Sequence, residues 1–146
     1  MRLIMKTRKE YSERKLFKAL EDNKDKAKAF LDDDVKMEGL FRDFEEKLKL
    51  IPKIGNRASD IAVLLSMMRA YIKKQYTDVS MGTILLAVGG LLYVVAPADL
   101  VPDFILGAGL LDDAAVLGMI LQAMHIDLKK YKKWQVDNGR RGAEEE

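Results

Sequence analysis

Apolar residues recur at helical spacing along the first half of the chain. They follow the three- and four-residue steps of one helix face from about Tyr11 to Leu31, from Val35 to Ile51 and from Ser59 to Gln75. The first pattern is interrupted near Asn23. Three consecutive acids, Asp32–Asp34, precede the second, where carboxylates favour a helix N-terminus. No segment shows the alternation of a β-strand for more than a few residues, so the pattern predicts an all-α protein.

The second half begins with an apolar region that has a different charge pattern. Between Val79 and Leu128 the chain has no lysine or arginine, although the whole sequence has 25. Val79–Ala98 is a run of 20 uncharged residues and Ala114–Ile126 is a run of 13. About 20 apolar residues are needed to span a bilayer as a helix, so 13 are too few. The region is predicted to be the most buried part of the molecule, either as a soluble core or as a membrane-seeking helical hairpin.

Basic and aromatic residues flank this apolar region, and acids lie near its middle. The flanking residues are Lys73, Lys74, Lys129, Lys130, Lys132 and Lys133, with Tyr71, Tyr76, Tyr131 and Trp134 among them. The acids near the turn are Asp99, Asp103, Asp112 and Asp113. Basic ends with interfacial aromatic residues are typical of a hairpin whose two ends lie on the cytoplasmic side of a membrane. A carboxylate at mid-bilayer costs about 2.5 kcal/mol or more, which opposes deep insertion, so both interpretations stay open.

The composition excludes most kinds of catalytic and metal site. With no cysteine, the chain has no disulfide, thiolate zinc site, iron–sulfur ligand or thiol nucleophile. Its single histidine leaves little material for general-base catalysis. The net charge is only +2 and the basic residues alternate with nearly as many acids, which argues against nucleic-acid binding. We therefore expect a non-enzymatic protein.

One long motif joins the two apolar runs. It is Ala96-Pro97-Ala98-Asp99-Leu100-Val101-Pro102-Asp103-Phe104-Ile105, followed by Gly109-Leu110-Leu111-Asp112-Asp113. The motif resembles the signature of the YkvA-type family, a bacterial domain of unknown function whose pattern is Ser-Pro-x-Asp-Leu-Ile-Pro-Asp-Phe-Ile-Pro, then Gly and an Asp-Asp pair. The similarity covers about Tyr76 to Gln122. Ala96 replaces the usual Ser and Leu106 the second Pro, so we expect a less rigid turn. The resemblance implies a short apolar helical hairpin, often membrane-associated, and no established reaction.

The residues of this motif have two interpretations. In the first they form a structural turn, because proline opposes a continuing helix and the acids accept hydrogen bonds from unpaired backbone N–H groups. The turn residues are then Pro97, Asp99, Pro102, Asp103, Gly109, Asp112 and Asp113. In the second, the four acids are oxygen ligands of calcium or magnesium, although their spacing is not that of an EF-hand loop. The structural turn is favoured, with no cofactor.

Together these patterns predict a compact helical bundle of about five or six helices around a central apolar helical hairpin. We expect one folding unit with a charged amphipathic region (1–78), the apolar YkvA-like hairpin (79–136) and a disordered tail (137–146). The expected function is that of a non-enzymatic membrane-associated or assembly protein. Its expected partner is a membrane surface or bilayer, another apolar helical protein or a second copy of the chain. The alternative is a soluble helical domain that binds a divalent cation. The expected location is the cytoplasm, at or in the inner membrane, with both hairpin ends cytoplasmic.

Overall fold

The structure, a computed structural model, describes residues 14, 16–51, 55–95 and 113–145. These residues contain seven α-helices, one short 3₁₀ turn and no β-strand. In chain order they are α1 (residues 16–22), α2 (Lys24–Leu31), α3 (Asp34–Leu48), the 3₁₀ turn Gly55–Arg57, α4 (Ala58–Ile72), α5 (Met81–Val95), α6 (Asp113–Ala123) and α7 (His125–Glu145). The predicted all-α class is confirmed for this part of the chain.

The described residues hold more helices than the five or six that the sequence predicted, because short interruptions divide two helical stretches. Asn23 separates α1 from α2, and its side-chain Nδ2 donates to the Ala19 carbonyl 2.8 Å away. Such side chain–backbone hydrogen bonds compete with helix continuation. Met124 separates α6 from α7. Its amide donates to the Ile120 carbonyl and its carbonyl accepts from the Leu128 amide, so the backbone groups at this junction stay paired.

The N-terminus of α3 is capped by one of the three consecutive acids. The Asp33 carboxylate accepts hydrogen bonds from the amides of Val35, at 3.0 Å, and Lys36, at 3.1 Å. Amides in the first turn of a helix have no carbonyl partner within it. The prediction that the Asp32–Asp34 run caps this helix is therefore confirmed.

Helix α5 lies at the centre of the described structure. Nine of its 15 residues are buried, and it packs against α2, α3, α4 and α6. Two adjacent glycines permit close packing on different sides. A Cβ on Gly89 would lie 3.2 Å from the Leu20 side chain of α1, and a Cβ on Gly90 would overlap the Ile120 side chain of α6. The described part of the apolar region is thus the buried centre, as the sequence predicted.

Helix α5 runs antiparallel to the stretch formed by α6 and the first turn of α7. Gly90 lies against Ile120, while the Thr83 hydroxyl, earlier in the chain, lies 3.4 Å from the carboxylate of Asp127, which comes later. The buried residues of α6 include Val116, Leu117, Ile120 and Leu121. Two apolar helices therefore pack side by side in opposite directions. The segment predicted to reverse the chain between them, 96–112, lies outside the described residues.

The described helices contain none that is both long enough and apolar enough to cross a membrane.

Helix α7 extends to Glu145 and has 21 residues. It includes residues 137–145, for which the sequence predicted a disordered tail. Gly139 and Gly142 each lower helix propensity by about 1 kcal/mol relative to alanine. The segment has no proline, however, the residue that would break a helix. The helix therefore continues where a tail was expected.

Candidate functional site

Most of the motif that the sequence singled out lies outside the described residues. This holds for Pro97, Asp99, Pro102, Asp103, Gly109 and Asp112. Asp113 is the first residue of α6, and only its backbone is described. The structural turn and the calcium or magnesium site therefore stay predictions. In the part of the chain that is described, no group of three or more His, Cys, Asp or Glu side chains is placed to hold a metal ion.

Arg57, the last residue of the 3₁₀ turn, contacts α6, the helix that follows the motif. Its guanidinium Nη1 donates to the Ala114 carbonyl 3.1 Å away. A Cβ on Gly118 would lie 2.8 Å from the guanidinium carbon, so the absence of a side chain there lets the guanidinium lie directly on α6. Sequence reasoning missed Arg57 because its partner lies 57 residues away.

The structure brings the two flanks of the apolar region together at one end of the fold. The ring of Tyr76, in the segment between α4 and α5, lies 5.1 Å from Tyr131 and 5.1 Å from Trp134 of α7, measured between centroids. The rings of Tyr131 and Trp134 are stacked, with centroids 5.6 Å apart. Edge-to-face and stacked ring pairs both stabilise packing. The two flanks therefore lie on the same side of the helical pair, as the sequence indicated.

Two of the flanking tyrosines are buried inside the protein rather than exposed where a lipid interface would contact them. Tyr76 is 5% exposed and Tyr131 is 3% exposed. The Tyr131 hydroxyl lies 2.6 Å from the Ser66 hydroxyl of α4, and the side-chain amide of Gln135 donates to both oxygens. The two tyrosines thus anchor α7 and the α4–α5 segment to the core, which corrects their expected interfacial role. Trp134 is half-buried and keeps part of its ring in solvent.

The flanking lysines are all exposed, but they do not share one environment. The exposed set is Lys73, Lys74, Lys129, Lys130, Lys132 and Lys133. Lys132 lies 3.4 Å from the Asp60 carboxylate of α4, so its charge is partly compensated. At about 100° per residue, Lys129, Lys130 and Lys133 lie on the face of α7 opposite its buried residues.

Lys74 has a backbone conformation that lysine rarely adopts. Its φ is 60°, in the left-handed region, directly after Lys73, the C-cap residue of α4. The Gln75 amide donates to the Ala70 carbonyl, at 2.9 Å, and the Lys74 amide donates to the Tyr71 carbonyl, at 3.0 Å. This is the Schellman pairing, in which the left-handed position is usually glycine. A residue with a Cβ costs about 1 kcal/mol there.

A groove of about 490 Å³ lies between the α4–α5 segment and α7. Its lining carries charges of both signs around aromatic rings. The lining includes Tyr76, Asp78, Lys130, Lys133, Trp134 and Asp137. Sequence reasoning identified the lysines and Trp134, but it missed the groove and the two acids because the walls are far apart in the chain.

Tyr76 carries a buried hydroxyl that has no hydrogen-bond partner in the described part of the molecule. Burial raises the pKa of its phenol above the usual 10.0, and the charges of Asp78 and Asp127 and the neighbouring Tyr131 raise this pKa further. The phenol therefore stays neutral at physiological pH. An unpaired buried donor costs about 1–3 kcal/mol, so the free protein holds an unused donor at a residue that lines the groove.

Comparison with known proteins gives a family match and a relative. Residues 83–119 match the family described as "Protein of unknown function (DUF1232)". Over 91 residues the chain is 40% identical to the "Uncharacterized membrane protein YkvA" of Bacillus subtilis (strain 168), a match that covers 60% of this chain and 86% of that protein. No solved structure matches the chain.

Proposed function

Since the chain belongs to the DUF1232, or YkvA-type, family, we propose that it is a non-enzymatic protein that binds an anionic membrane surface from the cytoplasmic side. The observation that carries this proposal is the convergence of the two lysine-rich flanks at one end of the fold. We call this end the basic face; it comprises Lys73, Lys74, Lys129, Lys130, Lys133 and Trp134. The relative from Bacillus subtilis is named a membrane protein, which agrees with this proposal.

The basic face has the chemistry that an anionic lipid surface attracts. Each lysine close to such a surface contributes about 1 kcal/mol of binding free energy, and a partly exposed tryptophan favours the headgroup region. Ile126 is 69% exposed and lies on the same face of α7 as Lys130 and Lys133. It adds an apolar side chain that can enter the boundary between headgroups and acyl chains.

The buried position of α5 supports binding at the surface of the membrane rather than insertion of the helical pair. Residues such as Ile84, Val88 and Leu91 are at most 1% exposed, and the helix packs against α2, α3, α4 and α6. Insertion into lipid would require these contacts to break. Binding through exposed lysines leaves the core intact.

The strained conformation of Lys74 also supports the proposal. Glycine at this position would relieve about 1 kcal/mol of backbone strain, so lysine is unfavourable for folding. A strained residue is often found where its side chain has a function. Here the side chain adds a positive charge to the basic face.

The proposal is tested by sedimentation with vesicles of phosphatidylglycerol and phosphatidylcholine, compared with phosphatidylcholine alone. We expect binding only to the anionic vesicles, and we expect it to weaken as salt is added, because salt screens exposed charges. In a variant with Lys73, Lys74, Lys130 and Lys133 replaced by glutamine, affinity should fall on the order of 10²- to 10³-fold, from about 1 kcal/mol per lysine.

A matched control removes the same number of charges elsewhere. It replaces four exposed lysines of α1–α3 by glutamine, namely Lys18, Lys24, Lys28 and Lys36. We expect this control to keep most of the affinity. Equal losses in the two variants, or binding that ignores lipid charge, would contradict the proposal. Lys74→Gly adds a second criterion, since it should raise the free energy of unfolding while it lowers membrane affinity.

A further inference from the structure

We infer that the groove between the α4–α5 segment and α7 binds the phosphoethanolamine headgroup of a lipid. Lys130 and Lys133 hold the phosphate, and Asp78 and Asp137 hold the ammonium group. This inference rests on the proposed membrane binding and specifies which lipid the same end of the protein selects.

The charges that line the groove are arranged along its length. Lys130 and Asp137 are seven residues apart, which is about 10 Å along α7, with Lys133 between them. Asp78 lies on the opposite wall. None of these four groups lies within 4.0 Å of an oppositely charged partner among the described residues. Both signs of charge are therefore available to a ligand.

A primary ammonium group fits the acidic part of the groove better than other headgroup chemistries. Its N–H groups can donate charge-assisted hydrogen bonds to the Asp78 and Asp137 carboxylates, and Trp134 offers an aromatic ring for a cation–π contact. A quaternary ammonium has no N–H to donate. A simple phosphate ester would meet the two carboxylates without a positive charge of its own.

The groove is also placed where a membrane lipid can reach it. It shares Lys130, Lys133 and Trp134 with the basic face. A protein docked on a membrane through this face therefore presents the groove to the headgroup layer. This placement favours a lipid over a soluble phosphate ester as the occupant.

Trp134 is the only tryptophan of the chain, so its fluorescence reports directly on the groove. The intact protein is titrated with glycerophosphoethanolamine, glycerophosphocholine and glycerol phosphate in separate experiments. We expect a saturable change with the ethanolamine compound and affinities about tenfold weaker for the other two, because one hydrogen bond to a charged group is worth about that factor. No saturable change, or equal affinity for glycerol phosphate, would overturn the assignment.

The two acids distinguish headgroup recognition from general charge attraction. Replacing Asp78 and Asp137 by asparagine makes the protein more basic, so simple electrostatics predicts tighter binding to anionic vesicles. We expect instead that affinity for glycerophosphoethanolamine falls about tenfold or more. The matched control, Asp25→Asn with Asp43→Asn at two exposed sites, should leave this affinity unchanged. An unchanged or tighter affinity in the groove variant would refute the inference.

Vesicles separate this inference from the proposed function. At a fixed fraction of phosphatidylglycerol, phosphatidylethanolamine replaces phosphatidylcholine. Binding should increase severalfold for the native chain and not for the Asp78/Asp137 variant. Binding to anionic vesicles without this increase would refute the headgroup site and leave the proposed membrane binding intact. Saturable binding of the soluble compound with no binding to any vesicle removes the membrane function and the lipid assignment together.

Discussion

Gly90 of α5 packs directly against Ile120 of α6. This contact leads to a testable prediction about how closely the two helices approach each other. In the native chain Gly90 has no Cβ, and a Cβ built there would overlap the Cδ1 methyl of Ile120. The same Cβ would lie 3.4 Å from Cγ1 of Ile120 and 3.7 Å from Cγ2, which are ordinary contacts. One methyl group of Ile120 is therefore the main obstacle to alanine at position 90.

Two opposing effects determine how much Gly90→Ala changes the free energy of unfolding. Alanine gains about 1 kcal/mol of helix propensity over glycine. Overpacking a filled core by one methyl group costs about 1–3 kcal/mol, and Ile120 is only 1% exposed, so it has little room to move. We expect a net loss of about 1 kcal/mol in the free energy of unfolding. Gly139→Ala is the control, since nothing lies within 4 Å of its Cβ position; it should be neutral or stabilising.

The Ile120→Val change removes the Cδ1 methyl and so tests the geometry itself. Alone it should cost about 1 kcal/mol, as other buried Ile→Val changes do. Combined with Gly90→Ala, it moves one methyl group from α6 to α5 at nearly constant volume. We therefore expect the double variant to be close to the native stability, about 2 kcal/mol better than the sum of the single changes.

Urea denaturation of the four proteins measures this coupling energy. The two-state slope must be the same in all four for the comparison to hold. If Gly90→Ala stabilises the protein as much as Gly139→Ala does, or if the two core changes are simply additive, then α5 and α6 do not meet at this point and the packing described above is wrong.

Three further predictions concern single side chains. Tyr76→Phe removes an unpaired buried hydroxyl and should raise the free energy of unfolding by about 1 kcal/mol. The native chain should also lose stability as the pH rises above about 10, since the unfolded chain releases the phenol proton before the folded one does. Urea denaturation from about pH 9 to 11 should therefore show a smaller loss of stability in Tyr76→Phe than in the native chain. Identical pH profiles for the two proteins would contradict this. Gly118→Ala should displace the Arg57 guanidinium from the Ala114 carbonyl with little loss of stability, seen as a shift of the Arg57 side-chain NMR signal; an unmoved signal would contradict the contact. Asp33→Ala should cost about 1 kcal/mol in thermal denaturation through loss of the cap, and an unchanged Tm would show that the cap contributes nothing.

The parts of the fold that depend on local pattern were predictable. The start of α3 directly after Asp33 follows from a carboxylate that accepts hydrogen bonds from the amides two and three residues later. The burial of α5 follows from its lack of charges, because desolvating a lysine or arginine is costly. Helix α7 extends past residue 137, since charged residues and glycine lower helix propensity without ending a helix.

The candidate site was predictable only in part. Its lysines and Trp134 are visible as flanks of the apolar region, and their meeting at one end follows from a hairpin. The groove depends on the position of α7 against the core. The contacts of Tyr131 with Ser66 and Tyr76 determine this position. The left-handed Lys74 has no sequence signal, because glycine or asparagine is the residue that marks such a position.

The sequence by itself determined that the described part of the chain is helical and that the described part of its cation-free region is the buried centre, because helix period and desolvation cost act on each segment separately. It also determined which family the chain belongs to, through one motif. Only the tertiary structure decided that Tyr76 meets Trp134, that Arg57 lies on α6 and that two lysines share a groove with two acids. These depend on the register in which whole helices pack, and that register is selected by the sum of many side-chain contacts rather than by any single segment.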